Sequence, residues 1–341
     1  MLWQRFASRT RRAEARLGIY ANPWVGVLTV RIVITEFMDE TAVVGLAERF
    51  DVCYDKDLVD RPDQLAVQVT DADALIVRNR TSVDEALLNI APSLRVVGRL
   101  GVGLDNIDQK ACAARAIDVI PATGANALAV AEYVIATAML LLRGAYGATA
   151  EITAGHWPRG ALSSGRELSG KTLGLVGYGG IGRLTGRLGR ALGMRTIGFD
   201  PQVPAAATLW AEEDTTPRTF AEVVAEADVL TLHVPLTHAT RHLIDAERLA
   251  TMKHDAILIN SARGGVVDEA AVAAALRANR LGGAALDVFD HEPLGVSSPL
   301  AGCPRLLLTP HIAGVTRESN ERVSALIAKR VAEALIKRMP R

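Results

Sequence analysis

Arg263, Glu292 and His311 each stand just past a short, largely apolar run in the second half of the chain. The runs are Ala256-Ile257-Leu258-Ile259-Asn260, Ala284-Ala285-Leu286-Asp287-Val288-Phe289 and Leu306-Leu307-Leu308-Thr309-Pro310. Open parallel sheets place their ligand crevice outside the carboxyl ends of the strands, so such runs would bring all three side chains to one edge. Singly, each also fits an ordinary place: a surface turn for Arg263, a loop carboxylate before Pro293 for Glu292, a helix entry for His311. Together they suit hydride chemistry at a carbonyl carbon. A forked guanidinium holds a carboxylate and polarises the carbonyl beside it. Imidazole titrates near neutrality and moves the proton. A neighbouring carboxylate favours the imidazolium, raises its pKa and fixes the ring.

Hydride transfer needs a carrier, and the run Val176-Gly177-Tyr178-Gly179-Gly180-Ile181-Gly182 supplies a place for one. It follows the strand-like Thr172-Leu173-Gly174-Leu175. A helical pattern through Leu184, Leu188 and Leu192 comes next, then a second strand from Arg195 to Phe199 that ends at Asp200. Strand, glycine turn, helix, strand and terminal acid make the βαβ unit that binds a dinucleotide. Gly177 permits the tight turn, Gly179 lets backbone approach a pyrophosphate, and Gly182 lets helix and strand pack closely; the helix N-terminus attracts the phosphate charge. Asp200 would accept from the adenosine ribose and repel a 2′-phosphate. Pro201 and Gln202 follow it with no arginine, so NAD is favoured over NADP.

The elements that must position these groups read as two alternating blocks. In the first, strands are expected at 31–35, 51–54, 74–77, 95–98 and 117–120, and helices near 40–49, 62–69, 83–90 and 108–116. In the second, strands are expected at 172–176, 195–199, 229–233, 256–260, 282–286 and 306–308. Such alternation means parallel sheets with crossover helices. Between the blocks, 126–143 reads as a helix too apolar for a monomer surface, hence one at a domain or subunit interface. The last segment, 316–337, reads as a helix returning to the first domain. The expected fold is α/β, with two Rossmann-like doubly wound parallel-sheet domains and a cleft between them. Residues 30–125 and 312–341 would form the substrate-binding domain, and 126–311 the NAD-binding domain.

The chain has 341 residues, more than one core comfortably serves. Its 38 basic side chains balance 38 acidic ones, which gives no reason to expect nucleic acid or an anionic membrane as partner. No apolar run reaches membrane-spanning length. Cys53, Cys112 and Cys303 are far apart, without the paired spacing of a zinc site or a secreted disulfide framework. No metal is expected, and the location expected is cytoplasmic. Met1 to Gly18 holds five arginines against one acid. It is similar to a transit peptide in that respect, but a disordered extension over 1–29, or a start placed too far upstream, is preferred, because Arg31-Ile32-Val33-Ile34-Thr35 looks like a first strand.

Several separated motifs, in order from about Arg31 to the C-terminus, resemble the D-isomer-specific 2-hydroxyacid dehydrogenase family. They are Val77-Arg78-Asn79-Arg80-Thr81, Gly101-Val102-Gly103-Leu104-Asp105-Asn106, Asn126 with Ala131-Glu132, the glycine run with Asp200, His233-Val234-Pro235-Leu236-Thr237, Asn260-Ser261-Ala262-Arg263-Gly264, Asp287-Val288-Phe289 with Glu292-Pro293, and Pro310-His311-Ile312-Ala313-Gly314. The resemblance implies Arg263 as substrate clamp, His311 as acid/base and Glu292 as its partner. It implies Gly180 and Ile181 at the pyrophosphate, Val234, Ser261 and Ala262 along the cofactor, and Asp287 near the nicotinamide carboxamide. Val102 and Gly103 would face the substrate, and the active form would be a homodimer. Formate dehydrogenases of the superfamily carry glutamine where Glu292 stands, so a hydroxyl or carbonyl substrate is implied here.

The substrate the resemblance implies is a small 2-hydroxy acid. The loop with Arg78 and Asn79 is the best handle on it, since an arginine entering a cleft suits a second anionic group. The loop is similar to that of 3-phosphoglycerate dehydrogenases, but Asn79 replaces their usual serine. 3-Sulfolactate competes with 3-phosphoglycerate, and hydroxypyruvate or glyoxylate reduction is the alternative. The chain ends soon after His311, so a C-terminal regulatory domain is not expected. An NAD-sensing co-repressor, keeping the catalytic residues but binding peptides, is the reading from another class.

Overall fold

A computed structural model of the chain describes residues 19–20 and 28–338. Most of the extension expected over 1–29 lies outside the described residues. Its described parts are strand: Ile19–Tyr20 (β1) pairs antiparallel with Phe50–Tyr54 (β3), and Leu28–Ile34 (β2) begins before the expected Arg31. The sequence therefore opens the folded chain too late. Leu28 extends β2 because it pairs with Phe50 across an irregularity before Arg31.

The chain divides into two compact units, one running to Asn126 and resuming at Arg317, the other spanning Ala127–Thr316. The segment 312–316, expected in the first unit, stays with the second. Asp287 holds it there: the amides of Ile312 and Ala313 each donate to its carboxylate at 2.8 Å.

In the first unit, β2 and β3 are joined by Ala74–Val77 (β4), Val96–Arg99 (β5) and Asp118–Pro121 (β6). The sheet order is β1-β3-β2-β4-β5-β6, parallel except for β1. Side-chain alternation divides the strands between two cores. Ala74 and Ile76 join Ile32, Ile34 and Val96 against Val323, Ile327 and Val331 of the helix Arg317–Lys337. Leu75 and Val77 join Val33 and Val97 against Leu87, Leu88 and Cys112 on the other face. The last helix can come this close because Gly98 lacks a side chain: a Cβ there would lie 2.7 Å from Val331 Cγ2.

The second unit is a seven-stranded parallel sheet. Its strands are Thr172–Val176 (β7), Arg195–Phe199 (β8), Thr216–Pro217 (β9), Val229–Leu232 (β10), Ile257–Asn260 (β11), Gly283–Leu286 (β12) and Leu306–Leu308 (β13). The order is β13-β12-β11-β10-β7-β8-β9. Beyond a two-residue edge strand, β9, that Pro217 disguises, the strands expected from the sequence are those observed. The helix Ala127–Arg143 packs its Val134, Ile135, Ala138 and Leu142 into this unit's own core, on the face with Leu173, Leu175, Ile257 and Ala285. The interface expected for it is thus partly internal; Leu128, Met139 and Leu140 are the large apolar side chains it leaves exposed.

Candidate active site

Strand β7 is flanked by β8 on one side and β10 on the other, the point of order reversal where open α/β sheets bind ligands. The glycines of the turn after β7 differ in what surrounds them. Gly177 has φ +94° and a Cβ on it would lie 2.4 Å from the His233 carbonyl oxygen; a Cβ on Gly182 would lie 2.2 Å from the Gly177 oxygen. Around Gly179 and Gly180 nothing lies within 4 Å of such an atom. Two glycines therefore serve close packing, and two leave backbone open where a phosphate could approach. The helix Gly180–Ala191 begins there with Gly179 as an N-cap that offers no side-chain acceptor, so its first amides suit an anion.

Asp200, at the end of β8, ties that strand to the turn: it accepts from the amides of Tyr178 at 2.7 Å and Gln202 at 2.8 Å. Tyr178 is buried and stacks on Trp210, with ring centroids 4.2 Å apart. Val234, half-buried, follows β10, and His233 beside it is bonded to Thr231 Oγ1 at 3.2 Å. Burial pushes the His233 imidazole down to about 4. After β11, buried Asn260 shapes the turn, accepting from the Ala262 amide at 3.1 Å and donating to the Arg263 carbonyl at 2.9 Å. Ser261 Oγ is buried without a hydrogen-bond partner among the described residues. An orphaned hydroxyl and an uncapped glycine turn, both after the carboxyl ends of strands of this sheet, fit a polar cofactor at that edge.

Strands β11, β12 and β13 are neighbours, and they carry Arg263, Glu292 and His311 on the loops after their carboxyl ends. His311 Nδ1 lies 2.7 Å from Glu292 Oε2, while Glu292 Oε1 accepts from the Phe289 amide at 3.1 Å. The ring is partly exposed, and Nε2 has no partner among the described residues. Arg263 donates from Nη1 to the Ala262 carbonyl at 2.5 Å. Its turn rests on the loop that carries Glu292, for a Cβ on Gly264 would fall 1.8 Å from the Phe289 oxygen.

His311 is held in the left-handed region at φ +55°, a strained place for a side-chain-bearing residue. Asp287 supplies the restraint. The His311 amide donates to the Asp287 carbonyl at 2.8 Å, and the next two amides donate to the Asp287 carboxylate. Thr309 Oγ1 donates to the same carboxylate at 2.6 Å and is 2.7 Å from the Tyr133 hydroxyl. Asp287, expected near the carboxamide, is thus buried and engaged in presenting the histidine. Thr309, Tyr133 and Asn260 are supporting residues that the sequence reading does not single out as such. Thr309 and Asn260 could have been found from their place at strand ends; Tyr133, over a hundred and seventy residues from Thr309, could not.

In the first unit, Arg78 follows β4 and is half-buried; Asn79 is exposed. Val102 and Gly103 are half-buried on the loop after β5. Arg78 Nη2 donates to Asn320 Oδ1 at 2.9 Å, and its guanidinium lies over the Phe37 ring, 5.9 Å from the centroid. Arg80 pairs with Asp60 on the surface.

Residues 135–313 match the family model for the D-isomer-specific 2-hydroxyacid dehydrogenase NAD-binding domain. The chain belongs to that family. It is an NAD-dependent 2-hydroxyacid dehydrogenase, and the glycine turn with Asp200 lies inside the matched segment. Among curated relatives of this dehydrogenase, the (S)-sulfolactate dehydrogenase of Chromohalobacter salexigens is 53% identical over 89% of the chain and 98% of that protein. The D-3-phosphoglycerate dehydrogenase of Methanocaldococcus jannaschii is 37% identical over 90% of the chain, which spans 57% of the length of that relative. Among solved structures, a glyoxylate reductase from Paecilomyes thermophila superposes with a TM-score of 0.79 at 28% identity, covering 91% of this chain and 96% of its own. No helix among the described residues is long and apolar enough to cross a membrane.

Proposed function

We propose that the chain interconverts (S)-3-sulfolactate and 3-sulfopyruvate. The observation that carries this reading is Arg78, a half-buried guanidinium with no carboxylate within ion-pair distance among the described residues. Glu36 acts on this guanidinium only through space, its oxygens being bonded to backbone amides, so the arrangement leaves donors for a substrate that brings a second anion. The relative that the chain spans almost end to end is named for a sulfonate substrate. The stereochemical labels agree as well. In lactate the carboxylate outranks the methyl group, whereas in sulfolactate the sulfur-bearing carbon outranks the carboxylate. The priority swap makes the (S) sulfolactate the spatial counterpart of a D-2-hydroxy acid.

In the oxidative direction, Arg263 holds the C1 carboxylate and keeps the C2 oxygen in reach of His311. Nε2 of His311 takes the hydroxyl proton as C2 becomes a carbonyl, and Glu292 stabilises the imidazolium that forms. Gly179, Gly180 and Ile181 would meet the pyrophosphate, Asp200 the ribose, and Val234, Ser261 and Ala262 the remainder of the cofactor. Bound NAD supplies the hydride acceptor at C2. Hydroxy acid and NAD⁺ thus become oxo acid, NADH and one proton. Val102 and Gly103 would face the substrate. Asn79 would stand at the far end of the substrate with Arg78.

The glyoxylate reductase likeness favours a second reading, reduction of an uncharged 2-oxo acid such as glyoxylate or hydroxypyruvate. NADH oxidation with 3-sulfopyruvate, 3-phosphohydroxypyruvate, hydroxypyruvate and glyoxylate separates the two. The highest kcat/KM should fall on 3-sulfopyruvate; a preference for glyoxylate or hydroxypyruvate would sink the sulfonate reading. We also propose a homodimer, because Met139, Leu140, Tyr146, Ile152 and Trp157 leave apolar surface on the second unit that a second copy would cover. Three free cysteines suit a reducing, cytoplasmic setting.

A further inference from the structure

The loop that presents Arg78 is built from side chains that the chemistry above does not use. Glu36 follows β2 and Arg78 follows β4, paired strands at the point where the order of the first sheet reverses. Glu36 is buried, and its carboxylate accepts from the amides of Arg78 at 2.9 Å, Asn79 at 3.3 Å, Arg80 at 3.1 Å and Thr81 at 3.0 Å. Asn106 Nδ2 donates to the carbonyls of Arg78 at 3.3 Å and Thr81 at 2.6 Å. Every amide of this four-residue loop is therefore fixed by one carboxylate, and both of its ends by one carboxamide. Such a loop presents its arginine at little entropic cost on binding.

The guanidinium has its own anchor. Asn320, on the helix Arg317–Lys337, accepts from Arg78 Nη2 at 2.9 Å, and Phe37 lies against the guanidinium. Both are neutral. The buried Glu36 carboxylate acts on the guanidinium through space, but its oxygens are taken up by backbone amides and form no ion pair with it. An aspartate at position 320 would have the same shape and bond more strongly, but it would put a rival anion on Arg78 before any substrate arrived. We propose that Asn320 is a specificity-determining residue: a neutral acceptor that orients Arg78 and leaves its charge for the second anionic group of the substrate. Glu36 and Asn106 are the positioning residues beneath it. This rests on the reading that the substrate carries such a group.

The test is steady-state kinetics with NADH on 3-sulfopyruvate and on glyoxylate, comparing wild type with Asn320→Asp and Asn320→Ala. In Asn320→Asp the KM for 3-sulfopyruvate should rise about 10–100-fold with kcat little changed, the loss expected when a charge-assisted contact is neutralised. Glyoxylate, with no second anion, should show a KM shift below about threefold. Asn320→Ala keeps the charge and loses the anchor, so its KM for 3-sulfopyruvate should rise less, about 3–10-fold. Glu36→Gln keeps one acceptor oxygen and should also weaken 3-sulfopyruvate selectively. An unchanged KM for 3-sulfopyruvate in Asn320→Asp, or equal losses on both substrates, overturns the role of Asn320 while the substrate reading stands. A wild-type enzyme that handles glyoxylate as well as 3-sulfopyruvate overturns the substrate reading, and this assignment with it.

Discussion

His311 Nδ1 sits 2.7 Å from Glu292 Oε2, so the ring is gripped through one nitrogen and leaves the other for the proposed proton transfer. Glutamine at 292 would keep an acceptor for Nδ1 but lose the negative charge beside the ring. Glu292→Gln should therefore lower kcat about 10–10³-fold while NADH binding, followed by fluorescence titration, is unchanged. Full turnover in the variant would remove Glu292 from the mechanism.

Two glycines in the candidate site should respond differently to the same added methyl. Gly264 has the Phe289 carbonyl where a Cβ would go, so Gly264→Ala must push apart the loops that carry Arg263 and Glu292. It should lower both Tm and kcat/KM, the latter by about 10²-fold or more, since small displacements of catalytic groups are that costly. Gly179 has open space around it. Gly179→Ala should keep the wild-type Tm and raise the KM for NAD about tenfold, because its methyl enters only the path of a phosphate. A fall in Tm without an effect on NAD would reverse the assignment of that glycine.

The parts of this fold that are legible in the sequence are those set by local periodicity. β7 and β8, the glycine turn and Asp200 follow from apolar runs, glycine spacing and a strand-end acid within thirty residues of chain. His311, Glu292 and Arg263 are legible for the same reason, as polar residues just past strand-like runs. What is not legible depends on partners brought together by tertiary structure. Asp287 looks like one more strand-end acid, and nothing local says that it collects the amides of His311 and of the two residues after it. Asn320 reads as a surface position on the last helix, yet it meets Arg78 from far along the chain. The helix Ala127–Arg143 misleads in the other direction: its apolarity suggests an outside partner, but most of it is satisfied by the sheet of its own unit.

What that helix leaves uncovered, together with the segment after it, bears on assembly. Trp157 is 77% exposed and Tyr146 65% exposed, large apolar areas to leave in water. Trp157→Glu should shift the protein from dimer toward monomer in light scattering at micromolar concentration while its circular dichroism is unchanged. A wild-type protein that is already monomeric at that concentration would dismiss the dimer.

His233 gives the fold a pH dependence of its own. Its imidazole, behind the glycine turn and bonded to Thr231 Oγ1, is pushed by burial from an ordinary value of 6.5 down to about 4. Between those values the unfolded chain takes up a proton that the folded chain does not, so acid favours unfolding across that window. Above it the histidine is neutral in both states and the stability is complete. On going from pH 7 to pH 5 this one group should remove about 2 kcal/mol from the free energy of unfolding. Denaturant titrations at the two values should show a smaller loss in His233→Gln, which keeps a polar side chain of similar reach but has nothing to titrate. Equal losses in variant and wild type would mean that the acid sensitivity lies with other groups and that His233 accepts its proton in the folded state.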